Sequence, residues 1–452
     1  MLTNVRFVPR TRGNQANMMA MSGLSAESAA SVIRPTKAFA DQGLARLAGG
    51  GIHGAATAMH RLTAELDDGS FAQLFGVAPP PIDADSGKVG RAPDNLVVPD
   101  SLADIFDFAY VPQTPEYHAT LAIPPIVPHH HLRIGDVALA LNAPRCHHQG
   151  WTGKGVKVAM TDTGFWPHPY FVRNGFNLIP TESPGSGRAD VDDNGHGTGE
   201  AANVFVMAPH ATLYGVKHGN SAAGSLETAI ALKPHIITNS WGWSIDQQSR
   251  DSFRANPTEI SYAELVDLES VIGEAIDGGI CVIFSAGNGH YGFPGSNPKV
   301  ISAGGVTVTE TGDLEASSYA SSFASQLYPG RNSPDICGIV GRLDAAPMTG
   351  HIMLPVPPQS ALDGENFGAV AAGHGWGVFS GTSAAAPQVA GLVALLKQIK
   401  PTLSTDQIRS VLSATATDIV KGKTAHGKRA AAGPDLATGS GLVDALKACA
   451  YL

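Results

Sequence analysis

The chain has 452 residues, with 30 basic residues against 39 acidic ones, and its net charge of −9 is spread without long blocks of either sign. That balance argues against a nucleic-acid or anionic-membrane partner, and no apolar run approaches the roughly 20 residues that span a bilayer. The length suits one large domain with an extension, and 52 glycines among many alanines suit a turn-rich, close-packed α/β architecture.

In chain order, Met1-Leu2-Thr3-Asn4-Val5-Arg6-Phe7 leads into polar and small residues without the apolar stretch of a secretory signal. The four cysteines (Cys146, Cys281, Cys337, Cys449) are scattered, with no Cys-x-x-Cys pair. The expectation is a cytoplasmic enzyme, with export after processing or by a non-Sec route as the alternative. Residues 23–77 are alanine-rich and predicted helical, and residues 78–128 are proline-rich with the extended runs Asn95-Leu96-Val97-Val98 and Ala119-Thr120-Leu121-Ala122-Ile123. Residues 1–131 therefore read as a separate helical and extended region. A propeptide, an internal inhibitor lying along the cleft and a recruitment module for a partner all stay open for it. His129-His130-His131 and His147-His148 carry metal-ligating side chains, but neighbouring histidines on a loop point in different directions, and no metal is expected there.

Residues 132–452 alternate strands and helices, as a parallel sheet requires. Val156-Lys157-Val158-Ala159-Met160-Thr161 is a buried strand ending at Asp162-Thr163-Gly164, a carboxylate at the sheet edge where open α/β folds build their sites. Asp193-Asn194-Gly195-His196-Gly197-Thr198-Gly199 places a histidine between glycines before a small, apolar run. Residues 226–232 are a short helix feeding the strand at 236–238. A second helix, 262–276, carries Leu265, Leu268, Ile272 and Ile276 on one face and stops at Gly278-Gly279 before the strand containing Cys281, a buried thiol. Gly381-Thr382-Ser383-Ala384-Ala385-Ala386-Pro387 sets a serine where a tight turn becomes a buried helix, whose free N–H groups can stabilise an oxyanion. Ser404-Thr405-Asp406-Gln407 opens a further helix as a capping box.

The order Asp162, His196, Ser383, each in its own motif, resembles the subtilisin-like serine peptidases (subtilases) over roughly residues 134–452. Asn142-Ala143-Pro144, Trp151-Thr152-Gly153-Lys154-Gly155, His168-Pro169-Tyr170-Phe171, Phe293-Pro294-Gly295, Val300-Ile301-Ser302-Ala303-Gly304-Gly305 and Gly439-Ser440-Gly441-Leu442-Val443-Asp444-Ala445 resemble further family blocks in family order. The resemblance implies a three-layer α/β fold around a mostly parallel sheet, and hydrolysis of peptide bonds in a protein or peptide substrate. Ser383 would be the nucleophile, His196 the base and Asp162 its orienting carboxylate. Asn288, in Ser285-Ala286-Gly287-Asn288-Gly289, would complete the oxyanion hole. Ser240, Trp241, Gly242, Ser285, Ala286 and Gly287 would line the substrate site. No cofactor is required for this chemistry. A structural calcium is compatible with Asp190, Asp192, Asp193 and Asn194, a solvated acidic turn being the competing reading. A non-hydrolytic or self-processing subtilase-like module devoted to one protein partner is the alternative function.

Two departures from the family pattern stand out. Relatives usually follow the histidine motif with a second histidine, then valine, alanine and glycine; this chain has Gly199-Glu200-Ala201-Ala202. Glu200 reads as favourable charge in a first helical turn. Residues 244–260 and 328–378 read as insertions, the second holding the apolar run Ile352-Met353-Leu354-Pro355-Val356-Pro357-Pro358, either a flap beside the cleft or an interaction loop.

Overall fold

The computed structural model describes residues 2–10, 33–81, 96–113, 134–309, 311–341, 350–363 and 375–452. At the N-terminus, strand β1 (Leu2–Pro9) is followed by helix α1 (Lys37–Gly49), strands β2 (Gly54–Ala56) and β3 (Leu62–Asp67), helix α2 (Asp68–Phe75) and strand β4 (Phe106–Tyr110). The strands form an antiparallel sheet in the order β2-β3-β1-β4.

This sheet corrects the expectation of a helical and extended region. Among the described residues of the alanine-rich tract two stretches are helical, and between them Leu62, Ala64 and Leu66 alternate inward along a strand. β3 pairs with the short β2 on one side and along its whole length with β1, far away in sequence, a pairing that local composition could not announce. One face of the sheet buries Val5, Phe7, Leu62, Leu66 and Phe106 with Leu47 and Phe71 of its own helices. The other face turns Arg6, Val8, Phe108 and Tyr110 toward the large domain.

In the large domain the chain runs through β5 (Lys157–Asp162), β6 (Asn177–Glu182), α3 (His196–Met207), β7 (Thr212–Lys217), α4 (Ala222–Ala231), β8 (Ile236–Asn239), α5 (Tyr262–Asp277), β9 (Cys281–Ser285), β10 (Ile301–Val308) and β11 (Leu314–Ala316). It continues through β12 (Ile336–Ile339), β13 (Ile352–Pro355), β14 (Trp376–Phe379) and α6 (Thr382–Ile399). The central sheet has the order β11-β10-β9-β8-β5-β7-β6, with β12 also on β10, and every pair is parallel except β11 with β10.

Strand period two divides the core into two layers. Val158, Met160, Ile236 and Ile283 join α3 and α6 on one face, whereas Ala159, Ile237, Val282 and Phe284 join α4 and α5 on the other. Both faces are covered, which is why these strands read as continuous apolar runs. The helix at Thr405–Thr415 has the expected capping box, with Ser404 and Gln407 bonding reciprocally. Residues 328–378, expected as one insertion, divide: β12 belongs to the central sheet, and the β13–β14 hairpin lies outside it. The 244–260 segment carries a short helix, Arg250–Ala255, anchored by buried Phe253.

The N-terminal sheet is joined to α4 and α5 by buried ions. Arg6 Nε and Arg61 Nε each lie 2.7 Å from one oxygen of Asp267, and the Tyr110 hydroxyl donates to the same carboxylate at 2.6 Å. Arg6 Nη2 lies 3.1 Å from Glu227, and Arg61 Nη2 lies 3.0 Å from Glu274. Despite burial, the two guanidinium groups hold Asp267 below its ordinary carboxylate range.

Candidate active site

Asp162 ends β5 at the carboxyl edge of the sheet, and His196 is the first residue of α3. Gly195 ahead of it has a φ of 95°, the left-handed cap that lets the chain turn into the helix. Gly197 brings the helix against β5, since a Cβ there would lie 2.4 Å from the Gly164 carbonyl oxygen. In this close packing the His196 Nδ1 donates to Asp162 Oδ1 at 2.8 Å, which leaves Nε2 as the nitrogen available for proton transfer. The Thr163 N–H donates to the same oxygen at 2.8 Å.

Ser383 is the second residue of α6. Its Oγ donates to the Ser240 carbonyl at 3.2 Å, and the Ser240 Oγ donates to the Ser383 carbonyl at 2.8 Å, so β8 and α6 are tied at the serine. Asn288 Oδ1 accepts from the Thr382 N–H at 2.9 Å and from its hydroxyl at 3.1 Å. Both bonds fix the carboxamide oxygen and turn its NH2 group the other way, as an oxyanion donor requires. Gly287 N–H in turn donates to the Thr382 hydroxyl at 3.1 Å.

A family model, the subtilase family, matches residues 153–441. The chain belongs to the subtilases. It is 31% identical over 290 residues to alkaline elastase YaB from Bacillus sp. (strain YaB), a match that covers 62% of this chain and 64% of that protein. It is 30% identical over 291 residues to subtilisin Savinase from Lederbergia lenta, covering 62% of this chain and 90% of Savinase. The fold is similar to that of fervidolysin from Fervidobacterium pennivorans, described as a keratinolytic enzyme related to subtilisin, with a TM-score of 0.60 at 17% identity, spanning 100% of this chain and 61% of that one.

Within this subtilase the expected substrate-site residues divide by side chain and backbone. The Trp241 ring is a core anchor, its Nε1 donating to the Thr161 hydroxyl at 2.8 Å and its ring meeting His218, Trp243 and Phe284 edge-on. What it can offer a substrate is therefore backbone. Gly242 and Gly287 are places of close approach, where a Cβ would lie 2.5 Å from the Phe293 carbonyl oxygen and 2.8 Å from the His290 ring. Ser285 ends β9 half-buried, and Ala286 is buried beside it.

The acidic turn before His196 is structural. Asp192 Oδ1 accepts from the Thr163 hydroxyl and Gly195 N–H, and Oδ2 accepts from the N–H and hydroxyl of Thr198. Those four donors occupy both oxygens of Asp192, Asp190 is paired with Arg188, and Asn194 Oδ1 accepts from the His196 N–H at 3.2 Å, so these three side chains already have protein partners. His147 Nε2 bonds the Met207 carbonyl at 2.8 Å. His129, His130, His131 and the run Ala119–Ile123 lie outside the described residues.

Several functional residues were missed in the sequence. Tyr319 accepts from the Ser380 hydroxyl at 2.9 Å and the Gly381 N–H at 2.6 Å, holding the turn into Ser383. His218 donates its N–H to the Asp162 carbonyl at 2.8 Å, and its ring is pushed down to about 4 by burial, so it stays neutral beside the site. Phe379 of β14 explains the missing second histidine: a Cβ at Gly199 would lie 2.3 Å from its ring. The only advance signal was the odd glycine itself.

Burial acts to lower the His196 pKa, but the charge and hydrogen bond of Asp162, with Glu200 and Asp192, outweigh it and raise it to about 9. Glu200 is raised by burial to about 7. Asp162 and His196 are fully buried and Ser383 is 2% exposed.

Proposed function

We propose that this subtilase is a serine endopeptidase acting on protein or peptide substrates. Ser383 Oγ attacks the scissile carbonyl while His196 Nε2 takes its proton, and the acyl bond forms on Ser383. The proton then passes to the leaving amine, and water, deprotonated by His196, releases the acyl group. Asp162 keeps the imidazole in the Nδ1–H tautomer and stabilises its charged form. The Asn288 NH2 and the Ser383 N–H receive the oxyanion. The observation carrying this reading is the 2.8 Å Asp162–His196 bond at the sheet edge, in a chain whose Asn288 is oriented by the residue preceding Ser383.

The near-complete burial of Ser383 and His196 favours a restricted or self-processing peptidase over broad digestion. In that reading the N-terminal unit, locked on α4 and α5, acts as an intramolecular inhibitor or partner-recruiting module. The test is fluorophosphonate labelling of the full-length protein, read by intact mass beside Ser383→Ala. One adduct on the wild type and none on the variant is expected; an adduct indifferent to the substitution overturns the reading, and a full-length chain that stays unlabelled is labelled again without its N-terminal unit, where absence of a Ser383-dependent adduct overturns it.

A further inference from the structure

Glu200 lies one turn after His196 on α3, where the family resemblance leads one to expect valine. Its side chain is fully buried, with Oε1 4.0 Å from His196 Nε2. Oε2 accepts from Asn203 Nδ2 at 2.8 Å. Asn203 Oδ1 accepts from Gln388 Nε2 at 3.1 Å, on the same helix as Ser383. Gln388 also donates to the Ile339 carbonyl at 2.9 Å and accepts from the Ile339 N–H at 2.8 Å in β12. A chain of amides anchored to the central sheet thus holds one oxygen of Glu200, while Oε1 makes no hydrogen bond among the described residues.

A valine would fill this place without desolvating a carboxylate, and leaving one oxygen of a buried acid unbonded is costly. A role in helix stability alone does not account for it. We propose that Glu200 is a positioning residue for the proton of His196, retaining it at the Nε2 side so that the imidazole is released as a base only under alkaline conditions. The inference rests on the serine-peptidase reading above.

The proton balance is simple. With Asp162 ionised, His196 and Glu200 together hold one proton in the resting site, as imidazolium with carboxylate or as imidazole with carboxylic acid. Loss of that proton to solvent leaves a neutral imidazole able to accept the Ser383 hydroxyl proton. The ionised Glu200 then faces the imidazolium so formed, until the proton leaves with the amine.

The ionisable groups around Glu200 come from several elements. His196 shares its helix, Asp162 faces it from β5, and the Tyr319 hydroxyl acts on it from the segment after β11. Asp192 acts on His196 from the turn before α3. Lys217 at the end of β7 is bonded to the Arg188 and Val191 carbonyls, and the helix at Ile134–Ala140 carries Asp136 in its first turn. Residues 383–391 of α6, β13 and β14 contain no acid, amine or imidazole. Those stretches therefore bring no cation to compete with His196 for the Glu200 charge, and both groups stand above their ordinary pKa values.

The test is an NMR titration of the His196 ring nitrogens in the full-length chain carrying Ser383→Ala, with the resonances assigned by loss in His196→Gln. Adding Glu200→Gln, which keeps the shape and the Asn203 contact, is expected to move the His196 titration to lower pH by about one unit or more. Glu200→Val, the side chain expected from the family pattern, provides a second variant and the same shift. A merely structural Glu200 would lower the melting temperature without moving the ring titration, and an unmoved titration in either folded variant overturns the proposal. In the chain retaining Ser383, the pH onset of phosphonylation should shift by the same amount. Absence of Ser383-dependent phosphonylation with the N-terminal unit both present and removed would instead overturn the peptidase reading, while the ring titration would still report on Glu200.

Discussion

Two groups of largely buried charges sit on opposite faces of the central sheet and are built on different terms. Beneath α4 and α5, Asp267 lies between Arg6 and Arg61 with the Tyr110 hydroxyl completing its shell, and the flanking Glu227 and Glu274 face the same guanidinium groups. Arginine does not give up its proton in proteins, so the positive charges there are locked. At the edge of the sheet, Asp162, His196 and Glu200 place two carboxylates around one imidazole, a group that does titrate. Asp267 and its two arginines are as fully buried as Asp162, His196 and Glu200. What differs is whether the cations can deprotonate, and that separates a fastening from a site able to move a proton.

The sharpest break of this contrast is expected from Asp162→Asn, which removes the group that fixes the His196 tautomer. Turnover should fall by about 10⁴-fold while the fold persists, measured as single-turnover acylation. Asp267→Ala should act on the other side alone. It leaves two buried guanidinium groups without their shared carboxylate and should weaken docking of the N-terminal sheet by about 3–5 kcal/mol, read from hydrogen exchange of β1 and β4. Equal deprotection of α3 would show that the two assemblies are not independent. Asn288→Ala should cut turnover about 10²- to 10³-fold with little change in KM; a change in KM alone would contradict an oxyanion role.

The smallest effect is in pH, where the signs differ. His196, raised to about 9, contributes stability that is present below its ordinary value of 6.5 and lost as pH rises through about 9. Asp267, held low, contributes stability that is present above its ordinary value of 3.8 and lost only as pH falls through its lower folded value. Glu264 at the start of α5 is raised by burial to about 8, so its contribution follows the sign of His196, declining between 4.5 and about 8. Hydrogen exchange at pH 6.5 and 9 should therefore show α3 loosening on the alkaline side, while the Asp267 contacts let go only in acid. Alkaline loosening confined to β1 and β4 would reverse the assignment.

The large domain was legible because its signals are local. Glycine-flanked turns, a serine opening an apolar helix and helix–glycine–strand units are written within a few residues each, and they order Asp162, His196, Asn288 and Ser383 along the chain. The N-terminal sheet was not legible, since β1 joins it only by pairing with β3 and β4, both far away in the chain, and alanine content masked the alternation of Leu62, Ala64 and Leu66. The direction of the Trp241 ring was not legible either, since a hydrogen bond to Thr161, distant in the chain, turns it into the core.

The sequence by itself determined the family, the parallel-sheet architecture and the candidates for the reacting groups, because turn chemistry and strand or helix periodicity act over short range. Only the tertiary structure decided how those groups are tuned. The close approach of Gly197 to β5, the Phe379 ring over Gly199, the amide chain from Glu200 to β12 and the Arg6–Asp267–Arg61 fastening each join residues distant in the chain. Desolvation and Coulomb interaction depend on such distances in space, and separation along the sequence does not supply them.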